Sequence, residues 1–129
     1  MQACCSYDRI TWFRVPSSYD SGNGWFTIHH TPKYSSAFYA YFAPYTYDAH
    51  MDLISAAQQS ERVALEMLGE TLDGHDIDCL VFGKEAPEKK KVWVIARQHP
   101  GESMAQWFAH GMINRLTNRC ALLLGSPAR

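Results

Sequence analysis

The sequence predicts an α/β chain in two parts: a β-rich stretch through residue 44, then mixed α/β from 45 to 129. Three observations predict it. Residues 11–45 are crowded with aromatic and β-branched side chains, broken by turn-forming clusters. At Pro44 that pattern gives way to apolar residues at helical spacing. Further on, the apolar run VWVIA at 92–96 meets Pro100-Gly101 and then a second helical pattern. A continuous run of that length marks a strand covered on both faces.

In the first part, TWFRV, WFTIHH and AFYAYFAPY are the strand candidates, with Pro16, Ser17-Ser18, Ser21-Gly22-Asn23-Gly24 and Thr31-Pro32 as the turns. Phe38, Tyr39, Tyr41 and Phe42 offer a wide aromatic face suited to sheet packing. So few strands are marginal alone and need a covering layer. In the second part, Asp48 is placed to cap a helix over 49–59. Met51, Ile54 and Gln58 form one stripe of it, with Leu53 and Ala57 beside them. Asp73-Gly74 is a hairpin signal between β-like runs at 65–72 and 77–82, and a polar connection with Pro87 fills 83–91. A helix over 103–116 carries Met104, Trp107, Phe108, Gly111 and Met112 on one face, the face expected to pack inward.

Composition narrows the function classes. With 47% hydrophobic residues in 129, the chain can bury a core. Twelve Lys and Arg against 13 Asp and Glu leave a net charge of -1, which argues against nucleic acid or an anionic membrane as partner. The basic cluster Lys89-Lys90-Lys91 reads as a solvated turn. Cys4, Cys5, Cys79 and Cys120 form no CxxC pair and suggest a reduced, intracellular protein. The N-terminus lacks the apolar run of a signal peptide, and nothing approaches the roughly 20 apolar residues of a membrane span. The expected location is the cytoplasm.

The chemistry-bearing residues sit at the Pro100-Gly101 break. A covered strand that empties through a turn into a helix is where open α/β sheets place their sites. The turn can swing His99 and Glu102 toward one point. Zinc accepts imidazole nitrogen and carboxylate oxygen, so a His-x-x-Glu pair can supply two of three protein ligands and leave a position for water. The alternative is plain: the spacing is common by chance, and Glu102 can simply favour the positive end of the helix dipole. Of the other histidines, His110 lies along the helix after the turn. His29 and His30 lie in the β part, and His50 and His75 are expected to be solvated at a helix start and a hairpin turn.

ARQHPGESMAQWF at 96–108 closely resembles the first zinc-ligand motif of zinc carboxypeptidases of the cytosolic type, the group of the tubulin deglutamylases and their bacterial relatives. FYAYFAPYTYDAHMDLI at 38–54 and LGETLDGHDIDCLVFG at 68–83 agree, and the resemblance runs in order from residue 8 to residue 116. It implies the end of an N-terminal antiparallel β-sandwich over 1–44. Over 45–129 it implies the opening of a mixed-sheet α/β catalytic domain. It further implies that His99 and Glu102 are the first two zinc ligands, that the substrate is the C-terminus of a peptide or protein, and that Arg97 either meets a substrate carboxylate or makes a structural ion pair.

The family's third zinc ligand, its general-base glutamate and its carboxylate-gripping groups lie downstream of this motif, and none has a place before Arg129. The tail 117–129, with ALLL ending in GSPAR, departs from the family pattern in the way a truncated or frameshifted reading frame, or a natural variant, does. The chain alone is therefore expected to be inactive and prone to self-association through open strand edges. Two competing functions remain: a zinc amidohydrolase of the aspartoacylase and desuccinylase type, which also uses a strand-turn HxxE, and a non-catalytic binding module.

Overall fold

In a computed structural model that describes residues 2–117, the chain divides into two units, Met1–Pro44 and Tyr45–Arg129. The first unit contains five strands: β1 (Ala3–Ser6), β2 (Phe13–Val15), β3 (Ser17–Asp20), β4 (Trp25–Ile28) and β5 (Phe38–Ala40). β1 is the middle of an antiparallel sheet ordered β2-β1-β5, with Cys4 opposite both Arg14 and Ala40. All four of its residues are buried. Ala, Cys and Ser suit that position because a central strand under cover has room only for small side chains. Ala3, Cys5 and Val15 form the core, with Ala37 packed against it.

Two features of this unit depart from the sequence reading. β1 lies in a stretch read as having no strand, because small residues carry little β propensity and only pairing on both edges makes them a strand. Ser17-Ser18, expected as a turn, lies in β3, where Ser17 pairs with Ile28 and Ser18 with Thr27. The neighbouring strand overrides the turn preference of serine. The turn itself falls at 21–24, where the Asp20 carboxylate accepts from the amides of Gly22 (2.9 Å) and Asn23 (3.3 Å). Between β1 and β2, the Asp8 carboxylate accepts from the amides of Ile10 (2.8 Å) and Thr11 (2.7 Å). Those bonds hold its pKa down to about 2.

The second unit begins with α1 (Tyr47–Ala57), followed by an antiparallel hairpin of β6 (Val63–Glu70) and β7 (Asp76–Phe82), and ends in α2 (Ser103–Leu116). Thr46, not Asp48, is the N-cap of α1: its Oγ1 accepts from the Ala49 amide at 3.2 Å. Asp48 falls in the first turn, where its charge complements the helix dipole. The buried stripe of α1 is Leu53, Ile54 and Ala57, while Met51 is exposed. The inward face is set by the neighbours α2 and β7, which the spacing of apolar residues does not specify. The hairpin turns at Gly74 (φ 76°), a conformation that glycine adopts without a Cβ penalty.

α2 begins and ends where the sequence spacing puts it, but its orientation is reversed from expectation. Ser103 and Ala109 are buried, whereas Met104, Trp107 and Phe108 lie on exposed positions. The inward face carries small and polar residues, and α2 meets α1 through Gln106 and His50 and meets Tyr45, just before α1, through His110. The run 92–96, expected as a doubly covered strand, forms no strand, and Val92, Trp93, Val94 and Ile95 are exposed. A strand of that kind needs hydrogen-bonded neighbours and layers on both faces, and no described strand pairs with it. No described helix is long and apolar enough to cross a membrane.

Candidate metal centre

The chain arrives at the bend through Arg97, whose backbone lies in the left-handed region at φ 55°. For a side chain with a Cβ, that conformation is unfavourable by roughly 1–2 kcal/mol. It turns the chain before Gln98. The Arg97 guanidinium then ties the bend down: Nη1 donates to the Tyr45 carbonyl at 2.8 Å and Nη2 to the Pro100 carbonyl at 3.2 Å. Pro100 and Gly101 complete the bend, closed by the Glu102 amide donating to the His99 carbonyl at 3.1 Å.

This backbone brings His99 and Glu102 together. His99 Nδ1 lies 2.9 Å from Glu102 Oε1, and the His99 amide donates to Oε2 at 3.3 Å. Glu102 occupies the N-cap position of α2, yet its side chain makes no capping bond. The carboxylate is turned back onto the imidazole instead of onto the helix amides. The hydrogen bond from His99 lowers the Glu102 pKa, so the group is held as an anion, an acceptor only. Opposite an anion, Nδ1 carries the proton. Both side chains open to solvent, 76% exposed for His99 and 44% for Glu102.

The donor set suits a borderline cation such as zinc: one imidazole nitrogen and one carboxylate oxygen, both on side chains open to solvent. Zinc accepts both donor types. His99 and Glu102 would hold the ion together, since their side chains already meet at 2.9 Å. Among the described residues, no third His, Cys, Asp or Glu joins the pair. The two residues fit as part of a site.

The other histidines are occupied elsewhere. His110 Nδ1 meets the Tyr45 hydroxyl at 2.8 Å, and partial burial lowers its pKa. His50, expected to be solvated, instead bonds Asp78 of β7 through Nε2 at 3.0 Å and faces Gln106 of α2 through Nδ1 at 3.4 Å. The inward turn of α1 puts it between hairpin and helix. His75 stacks obliquely on the Tyr47 ring at 4.9 Å. In the first unit, His29 meets the Ser18 hydroxyl at 3.0 Å and His30 the Tyr39 hydroxyl at 2.8 Å. Tyr45 is the residue that sequence reasoning missed. It is 4% exposed, sits edge-on to Trp107 at 4.7 Å, and offers its carbonyl to Arg97 and its hydroxyl to Ala49 and His110. In an aromatic-rich stretch nothing in the sequence separates it from the strand aromatics before it. All of the unusual tail except Thr117 lies outside the described residues.

Two family models match the chain: the cytosolic carboxypeptidase N-terminal domain over residues 1–42 and zinc carboxypeptidase over 47–121. An uncharacterized protein of Zymomonas mobilis subsp. mobilis is 43% identical over 131 residues, covering 99% of this chain and 33% of its own length. Cytosolic carboxypeptidase 2 of Homo sapiens is 35% identical over 98 residues, 68% of this chain and 11% of that protein. The crystal structure of a metallo-carboxypeptidase from Burkholderia cenocepacia superposes with a TM-score of 0.82 at 45% identity, covering 90% of this chain and 30% of that one. The chain thus spans a third or less of the length of these relatives.

Proposed function

The chain belongs to the zinc carboxypeptidase family, and from that premise we propose that it carries two of the three protein zinc ligands of a metallocarboxypeptidase, His99 and Glu102. The reaction is hydrolysis of the C-terminal residue of a peptide or protein. The observation that carries this reading is the Glu102 carboxylate, which turns away from the helix amides it could cap and onto His99. A structural role at the helix terminus predicts the opposite orientation.

Zinc at such a site supplies Lewis acidity, polarising a carbonyl and making water more acidic. The chain's own residues supply the rest. Glu102 is an anion held by two bonds from His99, so it is presented to a cation already deprotonated. His99 would offer a ring nitrogen to the ion as neutral imidazole. Arg97 belongs in this reading to the surroundings of the pair, its guanidinium bonded to the Tyr45 and Pro100 carbonyls. Residues 1–44 belong to the N-terminal β domain and 45–129 to the opening of the catalytic domain. The name of the N-terminal family favours a cytoplasmic location. The exposed run 92–95 is a ready site for self-association. The zinc amidohydrolase reading has less support, because the matched family is that of the carboxypeptidases.

The test is zinc titration of the 129-residue chain by calorimetry, alongside an assay for release of C-terminal residues. Weak binding lost in His99→Ala and Glu102→Gln, with no turnover by this chain, is the expected result. Zinc uptake indifferent to both substitutions would sink the assignment, and turnover by the chain would sink the claim that two ligands are insufficient.

A further inference from the structure

We propose that Arg97 is a positioning residue for the His99–Glu102 pair, acting as a clamp that fixes the bend between them and not as a contact for substrate; the proposal rests on the zinc reading above. The two bonds within the pair tie its members to each other and leave the bend that carries them to be fixed from elsewhere, since both side chains open to solvent. The fixing is done from Arg97. Its Nη2 bond to Pro100 spans Gln98 and His99, so His99 sits inside a loop closed by a side chain. Its Nη1 bond anchors that loop to the carbonyl of buried Tyr45, which also contacts Trp107 and His110 of α2. Both bonds go to carbonyl oxygens from one planar guanidinium, a fork that lysine cannot reproduce. The left-handed backbone at Arg97 is the strained conformation this clamp holds.

The sign of the effect separates this role from the alternatives. A guanidinium beside a cation site repels the cation, so on charge alone its removal tightens zinc binding. A substrate contact leaves zinc binding untouched. A positioning residue predicts weaker binding, by about tenfold to a hundredfold, the usual range for residues that orient metal ligands.

The experiment compares zinc affinity, measured by isothermal titration calorimetry, in the 129-residue chain and in Arg97→Gln, Arg97→Lys and His99→Ala. Amide exchange at Glu102 is measured in the metal-free proteins. Expected are at least tenfold weaker binding and faster Glu102 exchange in Arg97→Gln, with unchanged helical circular dichroism and with Arg97→Lys affected in the same direction. Binding as tight as the parent or tighter in Arg97→Gln, with parent binding abolished by His99→Ala, overturns the clamp while leaving the zinc reading intact. Zinc binding indifferent to His99→Ala overturns the zinc reading. Glu102 exchange then decides the clamp alone: faster exchange in Arg97→Gln supports it and unchanged exchange refutes it. Should Arg97→Gln fail to fold, Arg97→Lys carries the same comparisons.

Discussion

Tyr45→Phe isolates the hydroxyl of the residue on which the candidate centre leans. The substitution keeps the ring against Trp107 and keeps the carbonyl that accepts from Arg97. It removes two bonds, from the hydroxyl to the Ala49 carbonyl at 3.2 Å and between the hydroxyl and His110 Nδ1 at 2.8 Å. At 4% exposure, water does not replace the hydroxyl in place. The Ala49 carbonyl loses little, because a helical carbonyl retains its own bond within the helix. His110 Nδ1 loses its partner, but the ring is only partly buried and water reaches it in part. The cost is therefore that of one net hydrogen bond plus part of a desolvation penalty, about 1–2 kcal/mol. Urea unfolding monitored by helical circular dichroism measures it directly, since both helices lie in the second unit. A midpoint shift equivalent to less than about 0.3 kcal/mol means the hydroxyl is not buried as described, and the account of Tyr45 as the post between α1 and α2 fails.

Thr46→Ala removes the Oγ1 cap of α1 and is expected to cost about 1 kcal/mol in the same unfolding assay. Gly74→Ala places a Cβ on a backbone at φ 76°; nothing crowds it, so the expected loss of about 1 kcal/mol is conformational and leaves the hairpin register unchanged by NMR. His110 has a folded pKa below its ordinary value of 6.5 because burial disfavours the charged ring. Its contribution to stability is therefore complete above pH 6.5 and declines as pH falls through the folded value, and His110→Gln flattens that part of the pH–stability curve. Ile95→Lys interrupts the exposed run 92–95 and is expected to reduce concentration-dependent association in sedimentation velocity, with the helical signal unchanged.

What the sequence by itself determined was local. Glycine and aspartate at 73–74 dictated the β6–β7 hairpin, and the Pro100-Gly101 bend dictated where α2 begins. The three-residue interval from His99 to Glu102 placed an imidazole and a carboxylate on one turn, 2.9 Å apart, although the anchor of that turn on the Tyr45 carbonyl is a long-range contact. These features need only neighbouring residues, so backbone geometry and side-chain type settle them. What tertiary structure decided was which faces are covered. Apolar spacing located α2 but not its inward side: Ser103 and Ala109 face in while Met104 and Phe108 face out. The same holds for β1, a strand only because β2 and β5 flank it, and for 92–96, apolar enough for a strand but without a described partner. Burial and strand pairing are properties of two segments at once. A single segment's residues carry the capacity for them, and the packing of distant residues determines whether it is realised.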